Sequence, residues 1–473
     1  MKEAKFDDNY ELVNFTSPDD NPTSYTNRYK TEGFLSRLNY DYDERYYVSA
    51  SFRRDGTSRF YKDSRWGNFW SVGAGWRMDH ETWMKGVTWV DMLKLRLSYG
   101  QTGNDDTDGY YPWRAVYTAK NNGKEGGYYL GSLGNKDLKW ESSTSYDLAL
   151  EYVLLDNRLR GSIEVFHRGS DNLLWSVSIS ESTGHATQTV NAGSMWNRGV
   201  EFDMTGVVFR KKDFLLELNL NATHYKNKIT YMPEDPYTTG IRRREVGHSY
   251  YDLYLRQWMG VDPDTGNSLY LMDDVYMDTS ESKVEKDGVV YTTNVNEAKR
   301  DWSGNTLAKV YGGFGTKLRY KNFDMTTTFY YQFGGKLYDY GYYTYMSISS
   351  NFTNVHQDLM NHWREPGDIT SVPRLSYSTS DTSNLNAATS TRWLVANNLL
   401  QLSSIDMGYT FPKKWISHWG ISSLRLSASA ENVFIITARK GVYPRRTPMS
   451  GYSTNEDVYV QGRTFTMGLN VAF

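Results

Sequence analysis

Cysteine is absent from the 473 residues, which excludes disulfides and every Cys-ligated zinc or iron–sulfur site. Long apolar runs are absent too. A membrane-spanning helix needs about 20 consecutive apolar residues, and the chain has no such run. There is no surplus of positive charge, with 53 Lys and Arg against 55 Asp and Glu. A protein held to nucleic acid through phosphates usually carries a basic excess, so no nucleic-acid partner is expected. Histidine is scarce: His80, His167, His185, His224, His248, His356, His362 and His418 are the eight. None has the His-Glu-x-x-His spacing of a zinc site. His356 and His362 are six apart and do not share a helix face. No metal, cofactor or catalytic constellation is expected from this inventory. The opening Met1-Lys2-Glu3-Ala4-Lys5-Phe6 has no apolar core segment, so it does not read as a secretory signal peptide.

What the chain does have is aromatic side chains. They make up 15% of it, with 39 Tyr and 15 Trp, yet the mean hydropathy is negative. A transmembrane β-barrel reconciles these features, because only every second strand residue faces lipid while the lumen side is polar.

The repeating unit is a run of about ten residues that alternates with period two, the mark of a half-buried strand. Tyr46, Val48, Ala50 and Phe52 share one face, and Ser49, Ser51 and Arg53 the other. Leu93, Leu95, Leu97 and Tyr99 oppose Lys94, Arg96 and Ser98. The final run sets Phe465, Met467, Leu469, Val471 and Phe473 against Thr464, Thr466, Gly468 and Asn470. This pattern predicts about fifteen strands, at 31–42, 45–55, 66–77, 91–102, 139–153, 158–169, 198–208, 214–226, 251–262, 267–273, 306–320, 323–335, 396–411, 421–433 and 462–473. Asp79 is expected to cap one helical turn through Glu81, Thr82, Trp83 and Met84. A second helix is expected from His356 to Arg364, stopped by Pro366-Gly367.

Connections alternate in length. Tight ones carry turn chemistry: Asp43-Glu44, Asp156-Asn157, Lys211-Lys212-Asp213, Asp262-Pro263-Asp264-Thr265-Gly266 and Lys321-Asn322. Long ones lie between them, at 56–65, 103–138, 170–197, 227–250, 274–305, 336–395 and 434–461. Bacterial outer-membrane barrels show this asymmetry, with short periplasmic turns and long extracellular loops. With a periplasmic C-terminus, an odd strand count places residues 1–30 outside. A closed antiparallel barrel needs an even count, and unpaired edges in hydrocarbon cost several kcal/mol per group. Either a strand is missed or the chain is a fragment; a fragment is the preferred reading.

Several stretches resemble the SusC/RagA family of TonB-dependent outer-membrane transporters of the Bacteroidetes. They are Arg45-Tyr46-Tyr47-Val48-Ser49-Ala50-Ser51-Phe52-Arg53-Arg54-Asp55-Gly56, Arg65-Trp66-Gly67-Asn68-Phe69-Trp70, Leu93-Lys94-Leu95-Arg96-Leu97-Ser98-Tyr99-Gly100-Gln101-Thr102-Gly103-Asn104, Asn191-Ala192-Gly193 through Asn197-Arg198-Gly199-Val200-Glu201, Gly260-Val261-Asp262-Pro263-Asp264-Thr265-Gly266, Tyr311-Gly312-Gly313-Phe314, Glu431-Asn432-Val433-Phe434 and Arg463-Thr464-Phe465-Thr466-Met467-Gly468. Each match is short, but their order and spacing from about residue 28 onward are specific.

The resemblance implies an all-β fold, an antiparallel transmembrane barrel of roughly 22 strands. Residues 1–473 would supply its C-terminal part, without the plug domain, TonB box and signal peptide. It also implies integral placement in the cell outer membrane, in contact with its lipid. The partners it implies are a SusD-like surface lipoprotein as lid and the TonB complex, acting through the missing N-terminal part. The activity implied is active import of a large nutrient, a glycan or a peptide, with no enzyme chemistry. A surface-exposed binding or adhesin barrel without transport is the competing reading, and an outer-membrane enzyme a third.

The aromatic residues divide into two groups. Trp70, Trp76, Phe329, Tyr331 and Phe473 fall in strands or at their ends and read as lipid-face or interfacial girdle residues. A terminal aromatic such as Phe473 would, by the resemblance, also help the insertion machinery recognise the chain. Loop aromatics serve no girdle. Tyr110, Tyr111, Trp113, Trp302, Tyr342 and Tyr343 are the candidate substrate-binding residues, with Tyr128, Tyr129, Tyr338, Tyr340 and Tyr345 nearby in sequence. Their flat faces suit sugar rings or peptide side chains; lid contact and loop packing explain them equally. Asp105, Asp106 and Asp108 form an acidic loop that could hold calcium or be a solvated loop. Arg242-Arg243-Arg244 and Arg445-Arg446 read as solvated loops or as sites for anionic lipopolysaccharide or acidic glycans.

Overall fold

The computed structural model describes residues 26–107, 109–122, 125–347, 354–376, 389–441 and 462–473. The all-β expectation holds. Thirteen strands of the described residues form one sheet, each hydrogen-bonded to its neighbours in chain order. They are β1 Thr31–Tyr42, β2 Tyr46–Thr57, β3 Trp66–Arg77, β4 Val90–Asn104, β5 Glu141–Leu154, β6 Leu159–Asp171, β7 Ser194–Lys211, β8 Phe214–Tyr231, β9 Val310–Tyr320, β10 Phe323–Phe333, β11 Leu399–Thr410, β12 Ser423–Thr437 and β13 Thr464–Ala472. The described registers within β1–β4 and within β8–β13 are antiparallel. The chain divides into two compact units. One comprises Met1–Glu151, Glu164–Arg198 and Lys228–Asp235; the other comprises Tyr152–Ile163, Gly199–Asn227 and Pro236–Phe473.

Period-two patterning sets the two faces. Phe52 lies opposite Trp70, and Ser51 opposite Ser71 one residue away; the two serine hydroxyls bond at 2.7 Å. In β12 and β13, Ala428 lies opposite Met467 and Leu426 opposite Leu469, while Arg425 lies opposite Asn470. The apolar face is exposed: Phe465 is 74% and Met467 78% accessible. Water would not leave such a face open, whereas hydrocarbon would cover it.

Tight turns fall where the sequence put them. Asp43 and Glu44 adopt φ of 57° and 49°, and Asp156 and Asn157 both 57°. Positive φ at consecutive turn residues matches the right-handed twist of the flanking strands. Connections of two to four residues (43–45, 155–158, 212–213 and 321–322) fall at one end of the strands, together with two of twelve residues (78–89 and 411–422); the other end carries 58–65, of eight residues, and the much longer 105–140, 172–193, 232–309, 334–398 and 438–463.

Two of the fifteen predicted segments do not join this sheet. Residues 251–262 and 267–273 lie inside the single long connection 232–309. There they split among small sheets: Asp252–Arg256 pairs with Arg300–Asn305, and Trp258–Val261 with Ser268–Leu271. The Asp262–Gly266 turn therefore belongs to a long connection and not to the short-turn end. Alternation alone could not show this, because a strand over a local protein core has the same period as one facing lipid.

Both predicted helices are 3₁₀ turns instead. Met78–His80 and Thr82–Met84 are separated by an extended Glu81. Asp79 does not cap. Its carboxylate pairs with Arg77 at 2.7 Å and accepts from the Leu93 amide at 3.0 Å. Gln357–Asn361 is one 3₁₀ stretch capped by the His356 side chain. Glu81 accepts from the Tyr46 hydroxyl at 2.6 Å and the Trp76 indole at 2.9 Å, clamping the 78–89 connection to two strand ends. Those two donors hold the Glu81 carboxyl below its ordinary pKa.

Candidate functional site: an aromatic cleft between two loop hairpins

In the first unit, the long connections 105–140 and 172–193 each fold into a hairpin. Val116–Asn122 pairs with Glu125–Ser132, and Leu174–Ser178 with Thr187–Asn191. Side-chain amides lock the hairpins together. Asn135 donates to the Thr189 carbonyl at 2.9 Å, and Asn191 donates to the Lys139 carbonyl at 2.8 Å while accepting from its amide at 2.8 Å. Between the hairpins lies a cleft of about 480 Å³. Tyr110 and Tyr111 line it from the first connection, and Ser176, His185, Thr187 and Gln188 from the second. No Asp, Glu, Lys or Arg is among its described lining residues.

The two tyrosines are braced by their neighbours. Arg59 lies over Tyr29 at 4.8 Å and over Tyr110 at 5.7 Å. Its guanidinium also bonds Asp106 at 2.8 Å and the Asp105 carbonyl at 3.1 Å. Asp105 accepts from the Thr57 and Tyr29 hydroxyls at 2.5 and 3.0 Å. The cation that serves Asp105 and Asp106 is thus an arginine side chain, and Asp108 lies outside the described residues. Among the described residues, no three His, Asp or Glu side chains converge as a metal site. Tyr111 accepts from the Arg28 amide at 2.8 Å. Trp113 packs on Tyr61 at 5.5 Å and donates to the Ser58 carbonyl at 3.3 Å. Burial, together with the hydrogen bond to Asp105, raises the Tyr29 hydroxyl's pKa.

The other three candidates lie in the second unit, in connections with a core of their own. Trp302 stacks on His248 with ring centres 3.6 Å apart and planes 4° from parallel. One of its faces is therefore occupied. Tyr342 and Tyr343 sit on the short helix Tyr340–Tyr345 and pack on a buried cluster. That cluster includes Leu253, Leu255, Tyr338, Met346 and Trp393, each no more than 1% exposed. The Arg439 guanidinium covers the Tyr342 ring at 3.5 Å, and the Tyr342 hydroxyl donates to Asp358 at 2.8 Å. Burial, then the Asp358 bond, push the Tyr342 pKa up to about 12.

Two sequence readings change here. Arg242 and Arg244 do not form a solvated basic loop: they are 7% and 5% exposed. Arg244 covers Tyr250 at 3.6 Å and bonds its carbonyl, and Arg242 lies over Tyr251. Tyr331 is no interfacial residue either; it is 9% exposed and its hydroxyl donates to the Asn221 carbonyl at 2.9 Å. Its ring lies beside Phe314 at 6.2 Å and Phe333 at 5.7 Å, and these neighbours cover it. Arg445-Arg446 lies outside the described residues. Sequence reading also missed His185, Gln188 and the hydroxyls of the second connection. Their only signal was the polar run Thr187-Gln188-Thr189, which any loop strand could carry.

The family model for the TonB dependent receptor-like β-barrel matches residues 3–433. The chain belongs to that family. Receptors of this family are proteins of the outer membrane. The TonB-dependent receptor SusC of Bacteroides thetaiotaomicron is 28% identical over 95% of this chain and 44% of its own length. The TonB-dependent receptor P3 of Formosa agariphila is 27% identical over 96% of this chain and 46% of its own. Among solved structures, the RagAB peptide transporter superposes with a TM-score of 0.75 at 26% identity, covering 87% of this chain and 45% of that one. This receptor chain spans about half the length of these relatives.

Proposed function

We propose that the chain is the C-terminal barrel part of an outer-membrane importer for a large nutrient, a glycan or a peptide. On this reading it works with a SusD-like lipoprotein lid and is energised by TonB through the remainder of the receptor. The observation that carries the proposal is the cleft between the hairpins. It gathers two tyrosine rings from one connection and hydroxyl and amide donors and acceptors from the other, the combination that fixes an uncharged polar ligand. The relatives support it: one is SusC, and one solved neighbour is a peptide transporter. Tyr110 and Tyr111 are the contact residues and Trp113 their support. Trp302, Tyr342 and Tyr343 would contact substrate or lid only by what their packing leaves open, since His248 covers one face of Trp302 and Arg439 covers Tyr342.

The test uses cells carrying the complete receptor and two labelled probes, an oligosaccharide pool and a tryptic peptide pool. Uptake of one pool should vanish when TonB is deleted. It should fall about tenfold in Tyr110→Ala/Tyr111→Ala, the loss of roughly 1.4 kcal/mol of ring contact. Surface binding that persists without TonB, with no uptake of either pool, would instead establish the adhesin reading.

A further inference from the structure

The apolar face of the first unit carries a continuous row of rings. Trp70 meets Tyr99 at 4.7 Å, Tyr99 meets Tyr146 at 4.7 Å, Tyr146 meets His167 at 5.9 Å, and His167 meets Trp196 at 6.5 Å. The row crosses β3, β4, β5, β6 and β7, each time nearer the long-connection end of the strand than the tight-turn end. An arginine stands at either flank. Arg198 lies 4.4 Å over Trp196 and donates to His167 Nδ1 at 2.7 Å. Arg54 lies 5.2 Å over Trp66, which stacks on Phe34 at 6.1 Å.

These two arginines differ from those of the polar face. There, Arg53 pairs with Asp55 at 2.6 Å, and Arg96 pairs with Glu151 and Glu164 at 2.9 Å each. Among the described residues, neither Arg54 nor Arg198 has a carboxylate within salt-bridge distance, and both are exposed. A guanidinium on a lipid-facing surface costs several kcal/mol at the bilayer midplane and much less at the interface. Tyr46, whose hydroxyl reaches Glu81 at the tight-turn end, is eight positions from Arg54 on the same face. At about 3.3 Å per residue and a tilt near 40°, that separation spans on the order of 20 Å of bilayer, close to the height of the apolar band. Arg54 therefore stands at the outer rim of the band.

We propose that Arg54 and Arg198, with the ring row between them, form a belt that binds the phosphate groups of outer-leaflet glycolipid. Each guanidinium presents a planar donor fork suited to phosphate. The rings beneath hold each fork at interface depth, and His167 orients Arg198. The occupant is a lipid headgroup and not free phosphate, because the cations sit on the lipid-covered face. The inference goes beyond import and rests only on this face lying in the membrane.

The test is native mass spectrometry of the complete receptor in detergent, with phosphorylated lipid A, its dephosphorylated form and inorganic phosphate as separate probes. Phosphorylated lipid A should be retained, dephosphorylated lipid A should bind at least five-fold more weakly, and inorganic phosphate should not compete at millimolar concentration. Arg54→Gln/Arg198→Gln should lose the preference for the phosphorylated form. Arg54→Lys/Arg198→Lys should keep part of it, and the polar-face Arg53→Gln should keep it whole. Heat-modifiable migration on gels verifies that each variant has folded. Equal retention of both lipid A forms by the wild type, or an unchanged preference in the folded double glutamine variant, would overturn the proposal.

Discussion

The main sheet and the folded long connections bury their apolar residues in opposite directions. Along β13, Phe465, Met467 and Leu469 are 74, 78 and 65% exposed. In the connections 232–309 and 334–398, Leu253, Tyr338, Met346 and Trp393 are at most 1% exposed. Both regions use the same residue types and the same period of two. The difference lies in what covers the apolar side. For the sheet it is hydrocarbon, so the polar side chains lie on the other face and pair with one another, as Arg425 does with Asp324 at 2.6 and 2.7 Å. For the connections it is protein, so they build a core as a water-soluble domain does.

The largest expected effect falls on the connections. Trp393→Ala should destabilise them by about 3–5 kcal/mol, seen as protease cleavage within 334–398 while the sheet keeps its heat-modifiable migration. Cleavage and loss of the sheet together would show that the two regions are not independent in this sense. Next, Met467→Arg on the apolar face should cost about 2–4 kcal/mol in lipid, measured by urea unfolding in bilayers. A water-exposed sheet face would tolerate the change at close to no cost. Third, Arg439→Met strips the buried Asp339 of a partner 2.9 Å away and uncovers Tyr342. We expect a loss of about 1–3 kcal/mol, read by hydrogen exchange across Tyr340–Tyr345.

The smallest effect is on pH dependence. Burial alone would raise the Asp262 pKa, but bonds from Lys286 and Thr265 more than offset this and hold it below the ordinary carboxylate value. A depressed acid stabilises the fold fully above its unfolded pKa of about 3.9, and the contribution is lost as pH falls through the lower folded value. Hydrogen exchange at Ser268–Leu271 should therefore quicken only below about pH 4. Lys286→Met should move that onset upward; an onset that stays put would show that Lys286 does not hold the carboxylate.

The sheet was legible because lipid imposes a strict rule: every second residue apolar, for about ten residues, with turn residues between. Its strands pair in chain order, so even the alternation of connection lengths could be read. The segments 251–262 and 267–273 misled because Leu253 and Leu255 alternate for a local core. Arg242 and Arg244 misled because charge read alone signals solvent, while the tyrosines that bury them are six to nine residues away in sequence. The cleft was half legible. Tyr110 and Tyr111 stood out as loop aromatics, but the residues that complete the lining come from another connection about seventy residues on.

Import of this kind requires that the long connections, with the cleft they form, face outward and that the tight turns face the periplasm. The chain has no cysteine, so single cysteines placed in it report without background from these residues. Ile369, 96% exposed in a long connection, and Asp156, in a tight turn, are the positions to compare. In intact cells, a membrane-impermeant maleimide should label Ile369→Cys fully and leave Asp156→Cys unlabelled until the outer membrane is opened. Labelling of Asp156→Cys on intact cells with Ile369→Cys protected would invert the orientation and contradict the import reading.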